Sequence, residues 1–80
     1  MENVYLVWWN NGEPYREDLE WRVDGVFSTE EKAQSYVDNW TSEYRRKAEE
    51  FYKNRGEDFD EEDFKIDFPE SVWIVKRNLQ

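Results

Sequence analysis

Val4-Tyr5-Leu6-Val7-Trp8-Trp9 is an unbroken run of β-branched, aliphatic and aromatic residues, followed at once by Asn10-Asn11-Gly12-Glu13-Pro14. Six residues are too few for a helix, and the turn formers that follow predict a buried central strand ending in a reversal. Side chains alternate across a strand, so Tyr5, Val7 and Trp9 share one face and Val4, Leu6 and Trp8 the other. Both faces are apolar, which demands cover on two sides.

Two weaker strand signals flank this one. Trp21-Arg22-Val23-Asp24-Gly25-Val26-Phe27 alternates until Gly25, where the pattern slips, as in a strand with one solvated face and a bulge at that glycine. Residues 15–20 either extend this strand or form an irregular arm. Val72-Trp73-Ile74-Val75 is the third run, ended by Lys76 and Arg77. Between the second and third strands, Ser28-Thr29-Glu30-Glu31 has the form of a capping box, with Ser28 as the cap. Ala33, Tyr36, Val37, Trp40, Tyr44, Ala48, Phe51 and Tyr52 then recur at steps of three and four, an apolar stripe along one long helix. Glu43 with Lys47, and Glu49 with Lys53, have the spacing of supporting ion pairs, and Gly56 supplies the stop. Thr41-Ser42 either leaves the helix continuous, kinks it, or recaps it into two.

The order strand, strand, helix, strand leaves few topologies. A hairpin-like link sets the first two strands antiparallel, and a right-handed crossover through the helix returns the third parallel to the second. With the most apolar strand in the middle, the expectation is an α+β fold. Its sheet has three antiparallel strands in order 2-1-3, with one long helix on one face. The 80 residues make a single domain spanning 1–80, and 15 aromatic residues supply the bulk that so short a chain needs for a core. One sheet face remains uncovered in this scheme. Either phenylalanines of the following segment fold over it or a second chain docks there.

Composition narrows the chemistry. The chain has no cysteine and no histidine, which removes disulfides, thiolate and imidazole metal ligands, and the common nucleophile–base pairs. No apolar run reaches the length of a membrane span, and Met1-Glu2-Asn3 lacks the basic start of a signal peptide; a cytoplasmic protein is expected. No cofactor and no catalytic residue is expected.

The net charge of −9 is concentrated late in the chain. From Glu57 to Glu70 there are eight carboxylates and a single base, Lys65. Such a surface repels nucleic acid and acidic membranes and favours cationic protein surfaces. Phe59, Phe64, Ile66 and Phe68 interrupt the run, and Asp60-Glu61-Glu62-Asp63 has the composition of a helix start.

The residues Val4-Tyr5-Leu6-Val7, then Gly25 to Ala33 with Tyr36, then Val72-Trp73-Ile74-Val75 resemble a group of small uncharacterised ββαβ proteins of bacteriophages and Gram-positive bacteria. The resemblance implies the fold and a phage or mobile-element setting, in which small acidic proteins often bind and disable a host protein. It implies no catalytic residue.

From these readings the expected function is a non-enzymatic binding module, a phage-encoded modulator of a host nucleic-acid-handling or defence protein with a basic surface. Asp58, Asp60, Glu61, Glu62 and Asp63 would mimic nucleic-acid charge, Phe59 and Phe64 would anchor, and Trp8 would add an interface residue. Direct nucleic-acid and membrane partners are not expected. The competing readings are a homodimer through the uncovered sheet face and a binder of small aromatic ligands that uses the tryptophans. The acidic run also reads as a plain solvated loop. Asp58, Asp60 and Glu62 alternate as the first ligands of a calcium loop do, but Asp63 and Pro69 stand where that loop needs Gly and Glu. Arg45, Arg46, Lys47, Lys53 and Arg55 read as a solvated helix face, and adjacent Glu61 and Glu62 lack the opposed geometry of an acid/base pair.

Overall fold

The computed structural model describes residues 2–79. Three strands and two helices follow in the order β1 (Glu2–Asn10), β2 (Trp21–Phe27), α1 (Glu30–Asn54), α2 (Glu61–Asp67) and β3 (Ser71–Leu79). The sheet order is β2-β1-β3, with β1 antiparallel to both neighbours, as the apolar run in β1 predicts.

Alternation divides the sheet as expected. Val7 is fully buried and Trp9 is 7% exposed, and both lie on the face that α1 covers. Trp8 and Leu6 point the other way and pair with Trp73 and Val75 of β3. The bulge is present, one residue earlier than predicted. Val7 pairs with Gly25 and Trp8 with Val23, so Asp24 is the extra residue. The bulge turns Asp24 toward the helix, where it accepts the Tyr36 hydroxyl and pairs with Arg22 at 3.3 Å. Residues 15–20 form an irregular arm.

The helix cap differs from the expectation. Thr29, not Ser28, is the N-cap, in extended conformation, and its hydroxyl accepts from the Lys32 amide at 3.2 Å. Two adjacent hydroxyls compete for this position, and the one chosen leaves Ala33 fully buried. α1 runs unbroken through Thr41-Ser42 for 25 residues, about 37 Å at 1.5 Å per residue. It ends as predicted at Gly56 (φ +72°): the Gly56 amide donates to Lys53 O and the Glu57 amide to Tyr52 O, the paired bonds of a Schellman stop. The ion pairs on its surface run through arginine instead of the predicted lysines. Arg46 joins Glu43 at 3.0 Å and Glu50 at 3.2 Å, while Arg45 reaches Glu49 at 3.6 Å.

α1 outreaches the sheet. Its first half packs Ala33, Tyr36 and Val37 over β1–β3, and the second half carries Tyr44, Ala48, Phe51 and Tyr52 beyond it. α2 and its flanking loops cover that second half. The molecule is therefore long and thin, 53 × 30 × 15 Å.

Candidate functional site

The acidic segment folds into a defined element. Asp60 caps α2, its carboxylate accepting from the Glu62 amide at 2.8 Å and the Asp63 amide at 3.4 Å, and Glu61, Glu62 and Asp63 occupy the first turn. Phe59, Phe64 and Phe68 pack on the α1 stripe, not on the open sheet face. Phe68 meets Tyr44 at 5.7 Å and Phe51 at 5.6 Å, Phe59 meets Tyr52 at 6.0 Å, and Phe64 meets Tyr44 at 5.9 Å. Edge-to-face and offset pairs of this kind add to the area they bury.

Six further contacts clamp the segment. Arg45 pairs with Glu61 while its guanidinium lies 4.8 Å over the Phe59 ring and 5.8 Å from that of Phe64. The Tyr52 hydroxyl donates to Asp67 at 2.8 Å. Trp9 Nε1 donates to Glu70 at 2.8 Å, and the Glu70 amide donates to the Tyr44 hydroxyl at 3.2 Å.

These contacts sort the predicted charge suppliers. Asp60 is occupied as a cap and Glu61 as a partner of Arg45. Asp58, Glu62 and Asp63 are exposed and form no ion pair among the described residues. Phe59 and Phe64, predicted as outward anchors, are half-buried within the chain's own aromatic cluster. The apolar group left outside is Ile66, 75% exposed. It stands four residues after Glu62 and three after Asp63, on the side of α2 opposite Phe64 and Phe68. The signal was in the sequence, since Phe64 and Phe68 at a spacing of four fix the inward face.

The other predicted features are dispersed. Trp9 is in the core with the Arg22 guanidinium 3.9 Å over its ring, and Trp40 stacks on Tyr44 at 4.7 Å. Trp8 lies on the open sheet face, where Trp21 meets Trp73 edge-on at 5.5 Å. Arg45, Arg46 and Arg55 are each paired with carboxylates, so the basic cluster presents little net positive field. Among the described residues no group of three or more His, Cys, Asp or Glu is placed to hold a metal ion. Glu61 and Glu62 diverge, one to Arg45 and one to solvent.

Burial shifts two tyrosines that hold the segment. Tyr44 is pushed up to about 12, chiefly by desolvation, and Tyr52 likewise to about 12, by desolvation and then by its bond to Asp67. Both lie above the ordinary value of 10.0, so the folded chain holds these protons more tightly than the unfolded one. The stabilisation is complete below pH 10 and is lost as pH rises toward 12. Phenolate absorbance should show a late phase that coincides with loss of structure, and Tyr44→Phe and Tyr52→Phe should each remove one equivalent from it. Ionisation of all five tyrosines as one early class would contradict this packing.

No family model, curated protein or solved structure matches this chain. Among the described residues no helix is long and apolar enough to cross a membrane.

Proposed function

We propose that this chain is a non-enzymatic, cytoplasmic protein-binding module that meets a cationic partner surface with the outer side of α2. The observation that carries this reading is that exposed Glu62 and Asp63 stand one helical turn before exposed Ile66, with Asp58 just ahead of the cap, on an element clamped from beneath by Arg45 and the phenylalanine rings. A helix held by its own scaffold loses little backbone freedom on binding, and an apolar group beside the charges adds contact area. The proposed partner is a host protein whose basic surface handles nucleic acid or serves in defence, with the chain as its phage-encoded modulator. The carboxylate face supports the partner's chemistry, and the resemblance of the strand, cap and stripe residues to small phage proteins supports the setting.

Capture from host lysate on the immobilised chain tests this. Binding should be strong at about 0.1 M salt, where the Debye length is about 10 Å, and should largely disappear at about 1 M, where it is about 3 Å. A triple variant, Asp58→Asn with Glu62→Gln and Asp63→Asn, should lose the captured protein at low salt. A complex that persists at high salt and in the triple variant would overturn the proposal.

A further inference from the structure

We infer that the uncovered sheet face is a self-association surface, on which a second copy of this chain packs its own sheet. This goes beyond the acidic-face reading and uses the opposite side of the molecule.

The first argument is area. A folded chain of 10.0 kDa is expected to expose about 5,200 Å². This one exposes 6266 Å². Its radius of gyration is 15.3 Å, against about 12 Å for a compact chain of this length. The excess surface is what an open sheet and a projecting helix leave. At strand spacings of about 4.8 Å and rises of about 3.3 Å per residue, three strands of up to nine residues give a footprint on the order of 400 Å². The polar residues Glu2, Arg77, Asn10 and Ser71 lie toward the ends of this footprint, and its middle is apolar. Two such faces bury on the order of 800 Å² together, below the roughly 1,000 Å² of a stable interface, so the dimer is a weak one, reversible and formed only at high concentration.

The second argument is what the face carries. Its side chains include Trp8, Trp73, Trp21 (55% exposed), Val23 and Val26 (61% exposed). Strand register places one acid and one base there, Glu2 beside Leu79 and Arg77 beside Val4, so the face is neutral in a chain of net charge −9. A cationic partner gains nothing from it. A second copy meets a surface equally apolar and equally neutral, and two sheets packed about 10 Å apart form an ordinary sandwich.

Sedimentation from about 1 μM to about 1 mM tests the inference. The chain should pass from monomer to dimer, and added salt should favour the dimer by screening repulsion between two acidic bodies, the opposite sign to the partner complex. Val26→Glu and Val26→Lys, both at an exposed strand position, should fold normally. Each alone should weaken association on the order of tenfold. The triple variant of Asp58, Glu62 and Asp63 should dimerise at least as tightly as the parent, which separates failure here from failure of the acidic-face proposal. A chain that stays monomeric throughout, or Val26→Glu associating as tightly as the parent, would overturn the inference.

Discussion

Replacing Trp9 with alanine is expected to destabilise the fold by about 3–5 kcal/mol. The indole is 7% exposed and joins three elements: it lies on the α1 side of β1, under the Arg22 guanidinium, and donates to Glu70 just ahead of β3. Alanine would leave a cavity, remove the surface on which Arg22 rests, and strip the half-buried Glu70 carboxylate of its donor. A domain of this size has a total stability of only about 4–12 kcal/mol, so the variant should be substantially unfolded at moderate temperature. Trp8→Ala is the control. Trp8 faces the open side, and the change should cost about 1–2 kcal/mol. Urea unfolding followed by circular dichroism measures both, and equal losses would contradict the assignment of the two faces.

Gly12→Ala should be nearly as damaging, by about 3 kcal/mol. Gly12 has φ +69°, and a Cβ there would stand 2.1 Å from Pro69 O and 2.6 Å from Pro69 C. The obstacle is backbone, so no side-chain rotation relieves it. The left-handed conformation adds roughly 1–2 kcal/mol to an overpacking cost of about 1–3 kcal/mol. The junction is also tied by polar contacts that a shift would break, with Asn10 Oδ1 accepting from the Gly12 amide at 2.8 Å and from Ser71 Oγ at 3.3 Å. Gly56 provides the comparison, because it has nearly the same φ (+72°) with nothing within 4 Å of an added Cβ. Gly56→Ala should therefore cost about 1 kcal/mol, the conformational part alone. Similar urea midpoints for the two variants would show that Pro69 does not press on Gly12.

Much of this fold was legible because one short run, Val4 to Trp9, settled two questions together. Its uninterrupted apolar character put β1 in the middle, and strict alternation along it assigned Trp8 and Trp9 to opposite faces before any contact was known. The Gly56 stop was equally readable, since a helix ending in a left-handed residue selects glycine. The N-cap lies one residue beyond the predicted Ser28, because Thr29 offers the same hydroxyl and is the residue in extended conformation ahead of the first turn. The bulge was off by one for a related reason: glycine marks where the backbone departs from regularity, while the extra residue was the neighbouring Asp24, held by Tyr36 and Arg22 from elsewhere in the chain.

The acidic segment was harder. Charge counting gave Asp58, Asp60, Glu61, Glu62 and Asp63 the same role, whereas the roles depend on where α2 begins and what lies under it. Asp60 becomes a cap, Glu61 meets Arg45 sixteen residues away, and Asp67 and Glu70 receive bonds from Tyr52 and Trp9. Those partners are set by tertiary packing. The inward turn of Phe64, and with it the outward turn of Ile66, followed from a helical period that seven residues express only weakly.

The most direct test of the central claim is an amide chemical-shift titration of the chain with a lysine- and arginine-rich peptide as the cationic probe. The account predicts that changes concentrate at Asp58, Glu62, Asp63 and Ile66 and vanish at about 1 M salt. Changes spread evenly over the acidic residues of α1 and the 13–20 loop, or centred on the sheet, would contradict it.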